Sequence, residues 1–229
     1  MPPRPLAFAV LLVCAPVPIV AQQTPDLGPY LMSDRAAEVA LARSAAPKEI
    51  ADAATVLVLT RTGYVAAVTG TNGYTCFVQH SFDGPLSGPG FWDPAIRAPQ
   101  CANPPASRTV LPIFEKRAEW IMTGVTPKEI SRRTREAYAT HAMVPPAAGS
   151  MIFMLSPEQH LNDGANPRWM PHVMFYYDKS MAAATMGVDT ITNTVIDGSA
   201  GDPDAPFLLV FLPVRKWSDG TLALPMSTK

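Results

Sequence analysis

Apolar runs along this chain are short and are punctuated by Gly, Pro and Asn. Ala54–Thr60 (ATVLVLT) is a continuous aliphatic and β-branched run, the pattern of a strand covered on both faces. Tyr64–Val68 follows after Arg61-Thr62-Gly63, and Tyr74–Gln79 follows after Gly70-Thr71-Asn72-Gly73. Asn-Gly tolerates the positive φ angles of a type I′ turn, so the pattern predicts an antiparallel meander of these three strands. Upstream, Ser33-Asp34 precede Arg35–Ser44, where Ala37, Val39, Ala40 and Leu41 mark a short amphipathic helix that stops before Pro47. Lys48-Glu49-Ile50 adds one further helical turn.

Residues 81–109 are dense in proline and contain no run that reads as an element, so they are expected to form a proline-rich loop. Two helices follow. Val110–Gly124 carries apolar residues at helical spacing and stops at Gly124. Thr126-Pro127-Lys128-Glu129 combines a capping threonine, a proline at the first helical position and a glutamate at the third. This capping box predicts a helix from Pro127 to about Thr140. Met151–Leu155, His172–Tyr177, Thr190–Val195 and Phe207–Leu212 then read as strands. Strands, a helical middle and strands again define an α+β class: a mainly antiparallel sheet with a short N-terminal helix and a central helical pair.

The extreme N-terminus has a different character. Arg4 precedes the uncharged, mostly apolar Leu6–Val20, and Ala21 offers a small residue before Gln22-Gln23. The run is shorter than the roughly 20 residues that span a bilayer, and Pro16 and Pro18 interrupt its end. Residues 1–21 therefore read as a removed secretory signal, leaving a single domain over 22–229. Cys14 raises a lipoprotein alternative, but Leu11-Leu12-Val13 lacks the small residue wanted before a lipidated cysteine. No later stretch is long and apolar enough to cross a membrane. The mature chain is expected outside the cytoplasm, in the periplasm or the medium.

Composition narrows the function. Eighteen basic residues face nineteen acidic ones, a balance unlike that of a nucleic-acid binder, so no nucleic-acid partner is expected. Hydrophobic residues at 48% allow a packed core, whereas 25 prolines imply much irregular but held chain. After loss of residues 1–21 the cysteines are Cys76 and Cys101, which in an oxidising compartment read as one structural disulfide.

Common catalytic signatures are absent: no phosphate-binding Gly-x-x-x-x-Gly-Lys, no Gly-x-Gly-x-x-Gly, no His-Glu-x-x-His, no Gly-x-Ser-x-Gly and no Ser-x-x-Lys. The histidines are His80, His141, His160 and His172. His160 and His172, with Asp163 between them, are the candidate metal or acid–base set, because zinc takes His and carboxylate ligands. Phe91-Trp92-Asp93-Pro94 with Arg97 suggests a pocket in which Trp92 stacks on a ligand and Asp93 accepts hydrogen bonds. Together, Trp92, Asp93, Arg97 and His172 are the candidate ligand-binding residues. Asp197, Ser199, Asp202 and Asp204 could supply oxygens to calcium, although the same residues form ordinary turns. Lys116, Arg117, Lys128, Arg132, Arg133 and Arg135 interleave with Glu115, Glu119, Glu129 and Glu136, the pattern of a solvated helical surface.

GTNGYTCFVQ at 70–79, FWDPAIRAPQC at 91–101, PHVMFYY at 171–177 and PVRKWSDG at 213–220 together resemble a group of exported bacterial proteins of unknown function. The resemblance covers most of the mature chain. It implies export, a single domain and a bacterial source, and it implies no activity. Three functions are in view: a non-catalytic domain binding a small molecule or an envelope component; a metal-assisted or hydrolase-like enzyme centred on His172 and His160; and a structural or protein-partner accessory protein. The sequence leaves the cofactor unknown.

Overall fold

The computed structural model of the chain describes residues 26–84, 86, 90–162, 167–181, 196–198 and 205–223. The expected signal segment 1–21, the strand expected over Thr190–Val195, Asp163, and the calcium candidates Ser199, Asp202 and Asp204 lie outside them. Among the described residues the fold is mixed α/β around one eight-stranded sheet, in the order β2-β1-β3-β4-β5-β6-β8-β7. The strands are β1 (Thr55–Thr60), β2 (Gly63–Val68), β3 (Thr75–His80), β4 (Arg97–Ala102), β5 (Met151–Met154), β6 (His172–Asp178), β7 (Ile196–Asp197) and β8 (Phe207–Pro213). The helices are α1 (Arg35–Arg43), α2 (Lys48–Ala51), α3 (Pro104–Thr109), α4 (Leu111–Met122) and α5 (Pro127–Ala139). The sheet is mostly antiparallel, and β1 with β3 is its one parallel pair among the described residues.

That parallel pair replaces the expected meander. β1 lies between β2 and β3, whereas a meander would place β2 in the middle. The physical reason is burial. β1 hides Val56, Leu57, Val58 and Leu59 on its two faces, while β2 leaves Val65 exposed and so belongs at an edge. The chain reaches β3 by crossing the start of β1. Gly70 N–H donates to Thr55 Oγ1 at 3.0 Å and Thr71 N–H donates to the Ala53 carbonyl at 2.8 Å. Gly70 passes so close that a Cβ there would sit 2.2 Å from the backbone of Ala54 and Thr55. Asn72-Gly73 forms no type I′ turn: Gly73 has φ +75° but Asn72 is not in the positive region. Instead, Asn72 Oδ1 accepts from Tyr74 N–H at 3.0 Å, and its amide donates to the Ile50 carbonyl at 2.8 Å.

The stretch 81–109, expected as loop, contains β4 and α3. Pro99 sits inside β4, where the edge facing β5 is paired only at Cys101 and Ala102, so its missing N–H costs no bond on that side. α3 opens on Pro104-Pro105, where the first helical N–H groups have no intrahelical partner, and Asn103 caps it by accepting from Ala106 N–H at 3.0 Å. Cys76 and Cys101 face each other across β3 and β4 at disulfide distance, with sulfurs 2.06 Å apart. At the start of α5, Thr126 Oγ1 accepts from Glu129 N–H at 3.4 Å. The Glu129 carboxylate is taken by Arg132 and Arg133, at 2.8 and 2.9 Å.

The pleat sorts side chains between two layers. On one face Val56, Cys76, Val78 and Cys101 meet Ala42 of α1 and the small residues Ala45, Ala46, Ala51 and Ala54. On the other, Leu57, Phe77, Ala102, Ile152 and Met174 meet Ala106 of α3, Val110 between the two helices, and Leu111 and Phe114 of α4. α4 packs mainly over β2. The face it leaves over β4, β5, β6 and β8 carries the site described next.

Candidate functional site

A cavity of about 550 Å³ opens on this sheet face. Period-2 alternation supplies its floor. Gln79 on β3, Ala98 and Gln100 on β4, Met154 on β5, and His172, Met174 and Tyr176 on β6 all point to the same side, as do Phe207, Leu209 and Phe211 on β8. Phe114 and Arg117 of α4, Phe91, Leu161 and Trp169 complete the wall. The lining is predominantly hydrocarbon and aromatic, with polar groups in two places.

The first polar group is His172. It is 1% exposed, and its Nδ1 lies 2.8 Å from the Met170 carbonyl. A carbonyl only accepts, so Nδ1 carries the proton and donates. Burial lowers its pKa to about 4 against the opposing pull of that carbonyl, so the ring is neutral at physiological pH. Trp169 and Phe211 flank the imidazole edge-on, with centroids 4.7 and 5.0 Å away. Trp169 holds φ +53°, a left-handed conformation rare for a bulky residue, and such strain collects at ligand clamps.

The second polar place follows β3. The His80 ring lies between Phe82 and Tyr30, at 5.5 and 6.0 Å, and burial helped by the Arg97 charge pushes its pKa down to about 3. Asp83 Oδ2 accepts from His80 N–H at 3.2 Å and lies 2.9 Å from Tyr64 Oη. Burial raises the Asp83 pKa to about 7 in spite of those bonds and the nearby Arg117 charge. Tyr64 also donates to the Val78 carbonyl at 2.7 Å. One phenolic proton serves two acceptors poorly, so a protonated Asp83 suits this geometry. Arg117 Nη1 donates to the carbonyls of Asp83 and Gly84, each at 3.1 Å. Gln100 donates to Gln79 across the strands.

Of the residues marked out in the sequence, His172 lines the cavity. Trp92 does not: it packs edge-on against Phe91 at 4.7 Å, and Phe91 is the residue that reaches the cavity. Asp93 caps a local turn by accepting from Ala95 N–H at 2.9 Å. Arg97 and His160 exchange backbone hydrogen bonds of 2.8 and 2.9 Å at the end of β4, and the Arg97 guanidinium reaches the Pro29 carbonyl. Neither side chain lines the cavity. No group of three or more His, Cys, Asp or Glu side chains among the described residues is placed to hold a metal. The candidate His160, His172 and Asp163 set is incomplete there, since Asp163 lies outside them.

Arg117 corrects another expectation. It belongs to the mixed-charge series read as solvated surface, yet it is 4% exposed and lines the cavity. Its apolar neighbours Phe114, Ala118 and Ile121 on α4 carry a signal for that buried face. Gln79, Gln100, Asp83 and Trp169 had no local signal, because nothing in their neighbouring sequence distinguishes them from turn or surface residues.

Compared with known proteins, the chain matches no family model, no curated protein and no solved structure. No helix among the described residues is long and apolar enough to cross a membrane.

Proposed function

We propose that this protein is an exported bacterial domain that binds, without chemical turnover, a small and mainly apolar molecule in the cavity over β4, β5, β6 and β8. The cavity carries the reading. Its volume of about 550 Å³ lies within the roughly 300–1,000 Å³ usual for small-molecule sites, and its lining is apolar with few polar points. Asp83 and Gln100 each keep one buried oxygen without a hydrogen-bond partner among the described residues, a cost that a folded chain tolerates where function requires it. Export rests on the charged, apolar and small-residue order of residues 1–21, and a Cys pair at disulfide distance is compatible with it. The reading takes 22–229 as a single α+β domain entered by a short N-terminal helix and carrying a central helical pair. An envelope component is an occupant of the same chemistry.

The test is titration with the neutral fluorophore N-phenyl-1-naphthylamine. Saturable, blue-shifted emission is expected from the mature protein and is expected to be lost in Leu209→Trp, which fills the cavity from its half-buried β8 wall. Circular dichroism would confirm that the variant folds. Emission that does not saturate, or that Leu209→Trp leaves unchanged, would remove the cavity as the binding site.

A further inference from the structure

Resting on that reading, we infer that the cavity selects an uncharged apolar ligand bearing a hydroxyl, and that this hydroxyl donates its proton to Nε2 of His172.

The tautomer comes first. Nδ1 is committed as a donor to the Met170 carbonyl at 2.8 Å, so in the neutral ring Nε2 holds a lone pair and no proton. That nitrogen has no hydrogen-bond partner among the described residues, and the side chain is 1% exposed on the cavity wall. An acceptor left open on the wall of an apolar chamber is matched by a donor on the occupant. An occupant without one forfeits about 0.5–1.5 kcal/mol, or roughly 2- to 12-fold in affinity.

Charge decides the rest. Around the imidazole stand Trp169, Phe211, the register partner Met154 on β5 and the register partner Pro213 on β8. None carries a charge, and Arg117, the buried cation on the cavity wall, directs its Nη1 to the Asp83 and Gly84 carbonyls. A carboxylate would meet the Nε2 lone pair unless the ring took up a proton, which its burial opposes. An ammonium could donate to Nε2 but would enter without a counter-ion: Asp83 lies beyond β3, three strands from β6 in the sheet order. Either ion held at Nε2 gives up hydration that this one contact does not restore. The flanking rings of Trp169 and Phe211 offer faces and edges that suit an aryl or hydrocarbon body.

The experiment compares probes with one body and different heads: 2-naphthol, 2-methoxynaphthalene, 2-naphthoate and 2-naphthylmethylammonium. They are titrated against the mature protein at pH 7.5 by calorimetry. We expect 2-naphthol to bind about fivefold more tightly than its methyl ether and more than tenfold more tightly than either ion. In His172→Phe the preference over the ether should vanish. Equal binding of 2-naphthol and ether, or tighter binding of either ion, overturns the hydroxyl assignment and leaves the cavity intact as a binding site. Survival of the preference in His172→Phe moves the acceptor elsewhere and overturns it too. Failure of all four probes, together with failure of N-phenyl-1-naphthylamine, overturns the binding reading beneath it. The wild-type series decides the matter even where His172→Phe does not fold.

Discussion

Asp83→Asn isolates one buried proton. The carboxyl is 1% exposed, and burial raises its pKa to about 7, against about 4 for an aspartate in an unfolded chain. Between those values the folded protein keeps a proton that the unfolded chain has released. Stability from this group is therefore fully present below about pH 4 and is lost as pH rises through about 7. At about 1.4 kcal/mol per pH unit the loss has a ceiling of about 4 kcal/mol. Because the group is fully buried, solvent screening does not reduce it. Asparagine keeps an oxygen to accept from His80 N–H, and it cannot ionise. The stability of Asp83→Asn relative to wild type should thus climb from pH 4 to pH 8.5 by up to about 4 kcal/mol. The assay is urea unfolding with the disulfide intact, followed by tryptophan fluorescence and far-ultraviolet dichroism, whose coincidence checks two-state behaviour. His80 and His172 are common to both proteins, so their contributions cancel from the difference. A difference that stays flat across the pH range, or that falls with rising pH, would refute the claim that Asp83 folds as a neutral acid.

Three further outcomes are expected. His80 and His172, depressed to about 3 and about 4, contribute stability above the usual imidazole value of about 6.5 and lose it as pH falls, so each should cost about 2 kcal/mol at pH 5. His80→Phe should flatten that acid arm by its own share, and an unchanged unfolding profile would count against it. Replacing both Cys76 and Cys101 by serine opens a loop with a sequence separation of 25, for an expected loss of about 3.5 kcal/mol by chain entropy. Unfolding midpoints that do not respond to the pair would mean the cross-link is not formed in the folded protein. Gly70→Ala drives a methyl against the Ala54–Thr55 backbone, where a Cβ would lie at 2.2 Å, and should cost about 1–3 kcal/mol. A neutral result in urea unfolding would show that the β2–β3 crossover runs elsewhere.

What the sequence determined by itself is what depends on neighbours in the chain. The unbroken run ATVLVLT required a strand with two covered faces, and β1 has them. Thr126 before Pro127 marked where a helix can begin, because both residues deal with N–H groups that lack helical partners. A mixed fold with a mostly antiparallel sheet was legible from the alternation of such segments, and so was the pairing of Cys76 with Cys101. The candidate His172 was legible only as a histidine opening an apolar strand.

The tertiary structure alone decided which faces meet. β1 lies between β2 and β3 because the strand with most to bury takes the interior. No local turn signal encodes that competition, and Asn72-Gly73 pointed the other way. Pro99 and Pro104 looked like loop formers until the one-sided pairing of β4 and the first turn of α3 supplied places where a missing N–H is harmless. Trp92, Asp93 and Arg97 carry promising chemistry but lie off the cavity. Met154, His172 and Phe211, distant in sequence, line it together because register across β5, β6 and β8 aligns them on one side of the pleat. Long-range pairing sets that register, and so the cavity exists only once the sheet is assembled.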